Sequence, residues 1–507
     1  MLTGLKRITL AGAVGMALAA CSTVGPDFIA PKNIDGAAYR HQAPGAEQAA
    51  PLPQQWWSVF GDATLDRLEQ SALRDNPGVL AAAQRLLQAQ AQLGTVRAAQ
   101  SPALSVGGSV SNSRTSARTS QALALGGRAI SGNGYSVGAS MSYELDLWGR
   151  VRRLVEAADA QARVAESDRD GVLLLLSSQV AQTYWQLRGL DAEMAILDGA
   201  LGTRRESEEL VGARFDAGLT NELDIARARL ERANAEADLH DVRRQRNLLE
   251  HSLATLIGAS PSVPLLAPDG SHASNASNAS NVNPAASNAS RANPAASLPQ
   301  APAIPVGLPA NLLAQRPDLA ASVATLRAAN AQVGVAEGAF YPSLQLTGNF
   351  GYASEALRDL AQGGSRQFSL GPLALSLPVF DGGRNKANLA LSRARFDEAL
   401  ANHQGKLLNA LREVEDALSD VEQRQQQGQA QAQAQQAAAR AYLVARSRYE
   451  RGISNYLDVT DAQRSSLAAD RAAVQIHTQR LLATVAVARA LGAGWQPAAP
   501  QAAPAVQ

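Results

Sequence analysis

The sequence predicts a mainly α-helical chain that is internally duplicated and contributes strands to a membrane β-barrel. Three observations support this: a composition poor in aromatic residues, a register that repeats between two halves, and short alternating segments inside each half. The 507 residues are 46% hydrophobic but only 4% aromatic, whereas thick globular cores draw much of their buried area from aromatic side chains. The abundant Ala, Leu, Gln and Arg instead favour long, closely packed helices.

Charge and cysteine content exclude several classes of protein. The 46 basic and 45 acidic residues give a net charge of +1, whereas nucleic-acid binding requires a basic face that displaces counterions. We therefore expect no nucleic-acid partner. A single cysteine rules out a disulfide framework and a multi-cysteine metal site, and we expect neither a metal nor a bound cofactor.

The N-terminus resembles the signal of a bacterial lipoprotein. Lys6 and Arg7 precede an apolar stretch at 8–20, which has the length of a secretory signal rather than of a membrane span. The stretch ends in Leu-Ala-Ala-Cys at Cys21, which is similar to a lipobox. The resemblance implies that residues 1–20 are removed, that Cys21 carries a covalent lipid such as palmitate, and, because Ser22 follows, that the protein goes to the Gram-negative outer membrane. The alternative is an ordinary signal peptide with an incidental cysteine.

The chain repeats itself at a fixed offset. Arg214-Phe215 matches Arg448-Tyr449 at an offset of 234 residues, and the spacing between two glycines in this register is 40 residues in each half (Gly218 to Gly258, Gly452 to Gly492). A register held over this distance indicates an ancient duplication, with repeats at 62–258 and 309–492.

The segments outside the repeats are of low complexity or short. Residues 259–308 are a Ser/Asn/Ala/Pro linker that has almost no apolar side chain to bury, so we expect a solvated loop. Residues 21–61 form the lipidated N-terminal segment, and the tail at 493–507 is predicted to be disordered.

Each repeat contains two predicted strands, at about 102–116 and 133–147 and at about 342–353 and 367–380. Apolar residues alternate with small polar ones over about ten positions, as in membrane barrels with a wet interior. The fourth strand changes phase near Pro372, which suggests a bulge, and we expect Gly132-Asn133-Gly134 in the loop between the first two strands. An amphipathic soluble sheet is the alternative.

The strand count predicts oligomerisation. Four strands cannot close a membrane barrel, for which about eight is the minimum, and an open sheet edge is not tolerated in lipid. Several chains must therefore share one barrel.

The remaining sequence is helical. Apolar residues form a heptad seam through Leu173, Leu176, Val180, Thr183, Leu187, Leu190, Met194, Leu197 and Leu201. Gly149 and Gly218 bound a helical stretch of nearly 70 residues, about 100 Å long. The returning helix is expected to present Ala226, Ala233 and Ala237 on its inner face.

Several ordered motifs resemble the TolC-like outer membrane efflux proteins, and among them the NodT-type lipoproteins. They comprise Trp-Trp-Ser-Val-Phe-Gly-Asp at 56–62, Asn-Pro at 76–77, the strand-to-helix junctions at 144–150 and 377–384, and the turns at 218–224 and 452–458. The resemblance implies a homotrimer with four strands per chain. These would form a 12-stranded barrel that is continuous with a long periplasmic α-helical barrel.

The same resemblance implies a function and partners. The chain would be the passive exit duct of a tripartite pump for drugs or other small toxic compounds. Its partners would be a periplasmic adaptor (membrane fusion) protein, an inner-membrane transporter of the RND type, and outer membrane lipid.

The two turns carry the candidate functional residues. Asn221 and Asn455 are expected to cap the returning helices after Gly218 and Gly452, with Asp224 and Asp458 at the third helical position.

A threefold axis would place carboxylates in rings at this periplasmic tip. Asp458 and Asp461 lie three residues apart on one helix face, and the resemblance places them at the narrowest point of the tunnel. It also implies that Tyr449 and Asp224 belong to links that hold the tip shut. Ser454 departs from the family pattern, in which an Arg takes part in this latch.

Other classes of protein lack their sequence signatures here. His41, His240, His251, His272, His403 and His477 are scattered without a metal or hydrolase motif, and no phosphate-binding loop is present, so we expect no enzyme. We expect each histidine on a helix surface or in a loop. A periplasmic coiled-coil adaptor lipoprotein and an exit duct for type I protein secretion remain as alternatives.

Overall fold

A computed structural model describes residues 23–31, 39–41, 52–124, 126–266, 298–304 and 316–495. The predicted signal peptide at 1–20, Cys21, most of the low-complexity linker and the tail from 496 onwards lie outside the described residues.

The described elements are, in chain order, α1 (Ala63–Asp75), α2 (Pro77–Arg97), β1 (Ala103–Arg114), α3 (Ser120–Ala124), β2 (Ser131–Glu144), α4 (Arg150–Asp216), α5 (Glu222–Leu256), α6 (Pro317–Gly338), β3 (Ser343–Ser354), β4 (Arg366–Ser376), α7 (Arg384–Glu450) and α8 (Tyr456–Ala490). A 3-10 helix, Trp56–Phe60, precedes α1. None of the helices in the described ranges is both long and apolar enough to cross a membrane.

The chain divides into two compact units. One comprises Met1–Pro31, Arg85–Glu166 and Ala321–Gln404, and it contains all four strands. The other comprises Lys32–Gln84, Ser167–Ala320 and Gly405–Gln507, and it contains both helix-to-helix turns.

The strands form one antiparallel sheet in the order β1-β2-β3-β4. β2 begins at Ser131, so Gly132, Asn133 and Gly134 lie inside the strand, where they pair with Ser113, Asn112 and Ser111. The expectation of a loop at these glycines is wrong, because the ladder with β1 continues to the end of the strand and outweighs the weak strand propensity of glycine.

A bulge interrupts the pairing of β3 with β4. Leu346 pairs with Leu373 and Gly348 pairs with Leu370, so that Gly371 and Pro372 together oppose one residue, Thr347. Gly371 has a φ of 101°, which favours glycine. The predicted change of phase near Pro372 is confirmed.

The two faces of the sheet differ in polarity. On one face the serines of β1 and β2 form hydrogen bonds with each other, with Oγ–Oγ distances of 2.7 Å for Ser105–Ser140 and 2.8 Å for Ser109–Ser136. On the other face, Leu104 and Phe368 are 72% and 75% exposed within one chain. The sheet therefore presents a broad apolar face that the described part of its own chain does not cover.

The two long helices each contain 67 residues, and α4 occupies almost the whole span between Gly149 and Gly218. The heptad seam of α4 is confirmed, since Val180, Leu187 and Leu197 are fully buried. The inner face predicted for α5 is wrong. Ala226, Ala233 and Ala237 are exposed, whereas Ala228, Ala235 and Leu239 are buried. The predicted alanines lie two residues away from the buried positions, which is about 200° around the helix.

Aromatic residues contribute to the core of the unit that contains the turns, beside a larger number of Leu, Val and Ala side chains. Trp56, Phe60 and Trp185 are buried there, with 5.3 Å between the ring centroids of Phe60 and Trp185. Asp62 accepts hydrogen bonds from the backbone N–H of Thr64 and Leu65 and thereby caps α1. The 56–62 motif is thus a packing and capping module.

One histidine departs from its predicted place. His403 is only 2% exposed, and its Nδ1 lies 2.7 Å from Oγ of Ser322 on α6. The expectation of a surface position is wrong for His403, because Ser322 supplies a polar partner within the interface between α6 and α7.

Candidate functional site

The two helix-to-helix turns have the same backbone geometry. Gly218 and Gly452 have φ values of 71° and 74°, which place both in the left-handed region. The N–H of Leu219 donates to the Arg214 carbonyl at 2.8 Å, and the N–H of Ile453 donates to the Arg448 carbonyl at 2.9 Å. Each turn is a Schellman motif that satisfies the last carbonyls of a long helix.

Asparagine side chains begin both returning helices, as predicted. Oδ1 of Asn221 accepts the N–H of Asp224 at 3.0 Å, and Oδ1 of Asn455 accepts the N–H of Asp458 at 3.1 Å. Both N-caps are therefore confirmed. They fix the position at which Asp224 and Asp458 enter the first helical turn. We call residues 214–224 and 448–458 the hairpin ends.

An apolar cluster joins the hairpin ends inside one chain. It contains Val211 of α4, Ala228 of α5, Tyr449 of α7, and Tyr456 and Val459 of α8. The rings of Tyr449 and Tyr456 have their centroids 5.5 Å apart. Burial raises the pKa of Tyr456 to about 12, because the charged phenolate is disfavoured away from water.

Arg214 links the ends of the two long helices. Its Cζ lies 4.6 Å from the centroid of the Tyr449 ring, within cation–π range. Its Nη1 donates to the Tyr449 carbonyl at 3.3 Å, and its Nη2 donates to the Glu450 carbonyl at 3.2 Å. Arg214 thus places a positive charge at the negative C-terminal end of α7, where the helix dipole favours it.

The two predicted constriction residues lie on the opposite side of α8 from this cluster. Asp458 and Asp461 are exposed, whereas Val459 and Thr460 are buried. Nη1 of Arg464 lies 3.9 Å from Oδ1 of Asp461. Both carboxylates are therefore accessible to ions in the isolated chain. Their role in a constriction stays a prediction.

A charged network ties α8 to the first hairpin. The Nε of Arg464 donates to Glu231 of α5 at 2.9 Å, and Arg204 of α4 lies 3.3 Å from the same carboxylate. Glu231 is only 2% exposed. The hydrogen bond to Glu231 raises the pKa of Arg464, whereas burial lowers the pKa of Arg204. Glu231 is compensated by two cations, as a buried carboxylate requires.

The other predicted latch residues have local or unfilled contacts. Oδ2 of Asp224 accepts the hydroxyl of Thr220 at 2.7 Å. The hydroxyl of Tyr449 and Oγ of Ser454 are buried without a hydrogen-bond partner among the described residues. Ser454 thus makes no latch contact within the described part of the chain.

The sequence interpretation missed Arg214, Glu231 and Arg464. The available signal was the repeat itself, because Arg214 belongs to the motif that recurs at 448–458. Within the described ranges, no group of three or more His, Cys, Asp and Glu side chains is arranged to hold a metal ion.

Comparison with known proteins gives consistent matches along the chain. The chain is 33% identical to outer membrane protein OprJ of Pseudomonas aeruginosa over 485 residues, which cover 95% of both chains. It is 30% identical over 484 residues to the antibiotic efflux pump outer membrane protein ArpC of Pseudomonas putida, covering 94% and 93% of the two chains. It is 29% identical over 488 residues to the cation efflux system protein CusC of Escherichia coli, covering 95% and 98%.

Solved structures show the same fold. The outer-membrane channel OprN matches with a TM-score of 0.82 and 29% identity, covering 94% of this chain and all (100%) of that one. The CmeC outer membrane channel of Campylobacter jejuni matches with a TM-score of 0.80 and 26% identity, covering 94% and 96%. These matches confirm the predicted TolC-like fold class. The family model described as outer membrane efflux protein matches residues 68–259 and 308–493, and the chain therefore belongs to the outer membrane efflux protein family.

Proposed function

We propose that this chain is the outer membrane exit channel of a tripartite efflux pump, and that it conducts drugs or other small toxic compounds passively as a homotrimer. The observation that carries the proposal is the four-stranded sheet. Its edge strands, β1 and β4, have no pairing partner among the described residues on their outer sides, and its apolar face is uncovered.

A trimer satisfies both needs of this sheet. Three copies supply twelve strands, enough for a closed barrel in which every edge is paired. The apolar face with Leu104 and Phe368 would then face lipid, and the serine-rich face with Ser105 and Ser109 would line a wet interior. Closure removes the unpaired backbone groups, which are costly in hydrocarbon.

The proposed partners supply what a passive duct lacks. A periplasmic adaptor would contact the hairpin ends, and an inner-membrane transporter of the RND type would provide energy. Support comes from the relatives, one of which is named as part of an antibiotic efflux pump and another as part of a cation efflux system.

The test combines a reconstituted channel with a survival assay. The purified protein should migrate as a heat-modifiable trimer and form single channels in planar bilayers. Produced in a strain that lacks its own exit channels, with a matching adaptor and transporter, it should restore resistance to antibiotics. A protein that forms no channels would refute the proposal. If the protein restored only resistance to metal cations, or only protein secretion, the channel would export those cargoes instead of drugs.

The proposal includes lipid attachment at Cys21, which lies two residues before the first described residue. Thr23 packs against Gly149 at the start of α4. Arg153 donates to the Gly25 carbonyl at 3.2 Å and to Asp27 at 2.9 Å. These contacts hold the chain after Cys21 beside the junction that follows β2, where an attached lipid could reach the membrane.

Cys21→Ser is expected to abolish incorporation of labelled palmitate, because serine offers no thiol for lipid transfer. The measurement is metabolic labelling followed by membrane fractionation. Ser22→Ala, which keeps the thiol, is the matched control and should be labelled like the parent. A parent protein that takes up no label would show that Cys21 is incidental.

A further inference from the structure

The second repeat contains an arginine equivalent to Arg214, but this arginine does not make the equivalent contact within the described residues. The offset of 234 residues places Arg448 opposite Arg214 and Tyr449 opposite Phe215. The backbone agrees with this correspondence. Gly218 N–H donates to the Phe215 carbonyl and Gly452 N–H to the Tyr449 carbonyl, both at 2.9 Å. Each hairpin end therefore carries an arginine, an aromatic residue and helix-terminal carbonyls at equivalent backbone positions.

Of these two arginines, only Arg214 contacts an aromatic ring within the described residues. Tyr449, which lies under Arg214, is 7% exposed, whereas Phe215 is 40% exposed. Arg214 is half-buried and Arg448 is exposed. The guanidinium of Arg448 has no hydrogen bond, ion pair or ring contact with any described residue. One chain thus contains one complete contact and the two separate halves of a second.

We propose that Arg448 contacts Phe215 and the carbonyl end of α4 on a second copy of this chain. The inference rests on the proposed trimeric channel, in which every hairpin has one neighbour from its own chain and one from the next. Arg214 joins the two hairpin ends of one chain, and Arg448 joins a hairpin end of one chain to that of the next chain. Around a closed ring of three chains these contacts alternate, three of each kind.

The chemistry of the second contact is the same as that of the first. An arginine over an aromatic face gains cation–π attraction, and a cation beside the last carbonyls of a helix is favoured by the helix dipole. The Phe215 ring replaces the Tyr449 ring, and the carbonyls of Phe215 and Asp216 replace those of Tyr449 and Glu450. Neighbouring hairpins can separate only when the Arg214 or the Arg448 contacts break. Both kinds of contact therefore favour the closed tip.

Cross-linking tests the geometry. The trimer carrying Arg448→Cys and Asp216→Cys is treated with a short bifunctional maleimide and then denatured. We expect covalent dimers and trimers on the gel. The matched pair, Arg214→Cys with Glu450→Cys, should be linked only within the chain and run as a monomer with added mass. The parent chain reports any background from Cys21. Linkage of the first pair only within one chain, or none, overturns the inference.

Conductance tests the consequence. Arg448→Ala should raise single-channel conductance severalfold, Phe215→Ala should do the same, and the combined variant should match either single variant. Arg451→Ala is the matched control, because the side chain of Arg451, which follows α7 directly, donates among the described residues only to Ser447. Conductance equal to that of the parent in both single variants overturns the inference. A parent protein that forms no trimer or channel would instead refute the proposed function.

Discussion

Alanine at both Asp458 and Asp461 is expected to raise single-channel conductance about twofold or more and to abolish block by multivalent cations. The two carboxylates are exposed on one face of α8, and the threefold axis of the proposed trimer would turn each into a ring of three. Rings of carboxylates attract and retain cations at a constriction. Planar-bilayer recordings, with and without a trivalent cation, give both readouts.

A control variant distinguishes the effect of the two carboxylate rings from the effect of a general change in surface charge. Asp241→Ala removes an exposed carboxylate of α5, about five helical turns beyond Asp224, and should leave conductance and block unchanged. If the double alanine variant conducts and is blocked like the parent, the two aspartates do not form the constriction.

The long helices and the strands were the most predictable parts of the fold. The span of α4 followed from the heptad seam, which fixes the buried face, and from the junction and turn motifs that contain Gly149 and Gly218, both of which lie in the left-handed region at φ 80° and 71°. The sheet followed from alternation, since a period of two places one set of side chains on each face. The bulge at Gly371 and Pro372 was visible as a change of phase.

Residues whose roles depend on a neighbouring helix were not predictable. Alanines occur on more than one face of α5, so that spacing alone could not select Ala228 over Ala226. The burial of His403 depends on Ser322, which is far away in sequence. Arg214 and Glu231 have their roles because they contact α7 and α8. A single sequence does not show which helices are in contact.

Glu69 of α1 is a further residue that the sequence did not mark. Its side chain is fully buried, and neither carboxylate oxygen has a hydrogen-bond partner among the described residues. Burial, with a smaller contribution from the charge of Asp66, raises its pKa from 4.5 to about 9. The folded protein therefore holds a proton at neutral pH that the unfolded chain releases.

This difference in protonation makes the folded state less stable as pH rises. Below pH 4.5 Glu69 is protonated in both states and has no effect through its charge. Between pH 4.5 and about 9 only the folded state keeps the proton, so stability falls by about 1.4 kcal/mol per pH unit, or about 3 kcal/mol by pH 7.

Glu69→Gln is therefore expected to raise the melting temperature of the full-length protein at pH 7 to 9 and to have little effect near pH 4.5. The amide is neutral at every pH, so the variant avoids the energetic cost of keeping the proton. Thermal unfolding in detergent across this range measures the difference between variant and parent. Asp66→Asn is the matched control: it leaves Glu69 titratable and should retain most of the parent's pH dependence. Melting curves of Glu69→Gln and parent that stay parallel from pH 4.5 to 9 would show that Glu69 is ionised in the folded protein, and a solvated path to α1 would then have to exist.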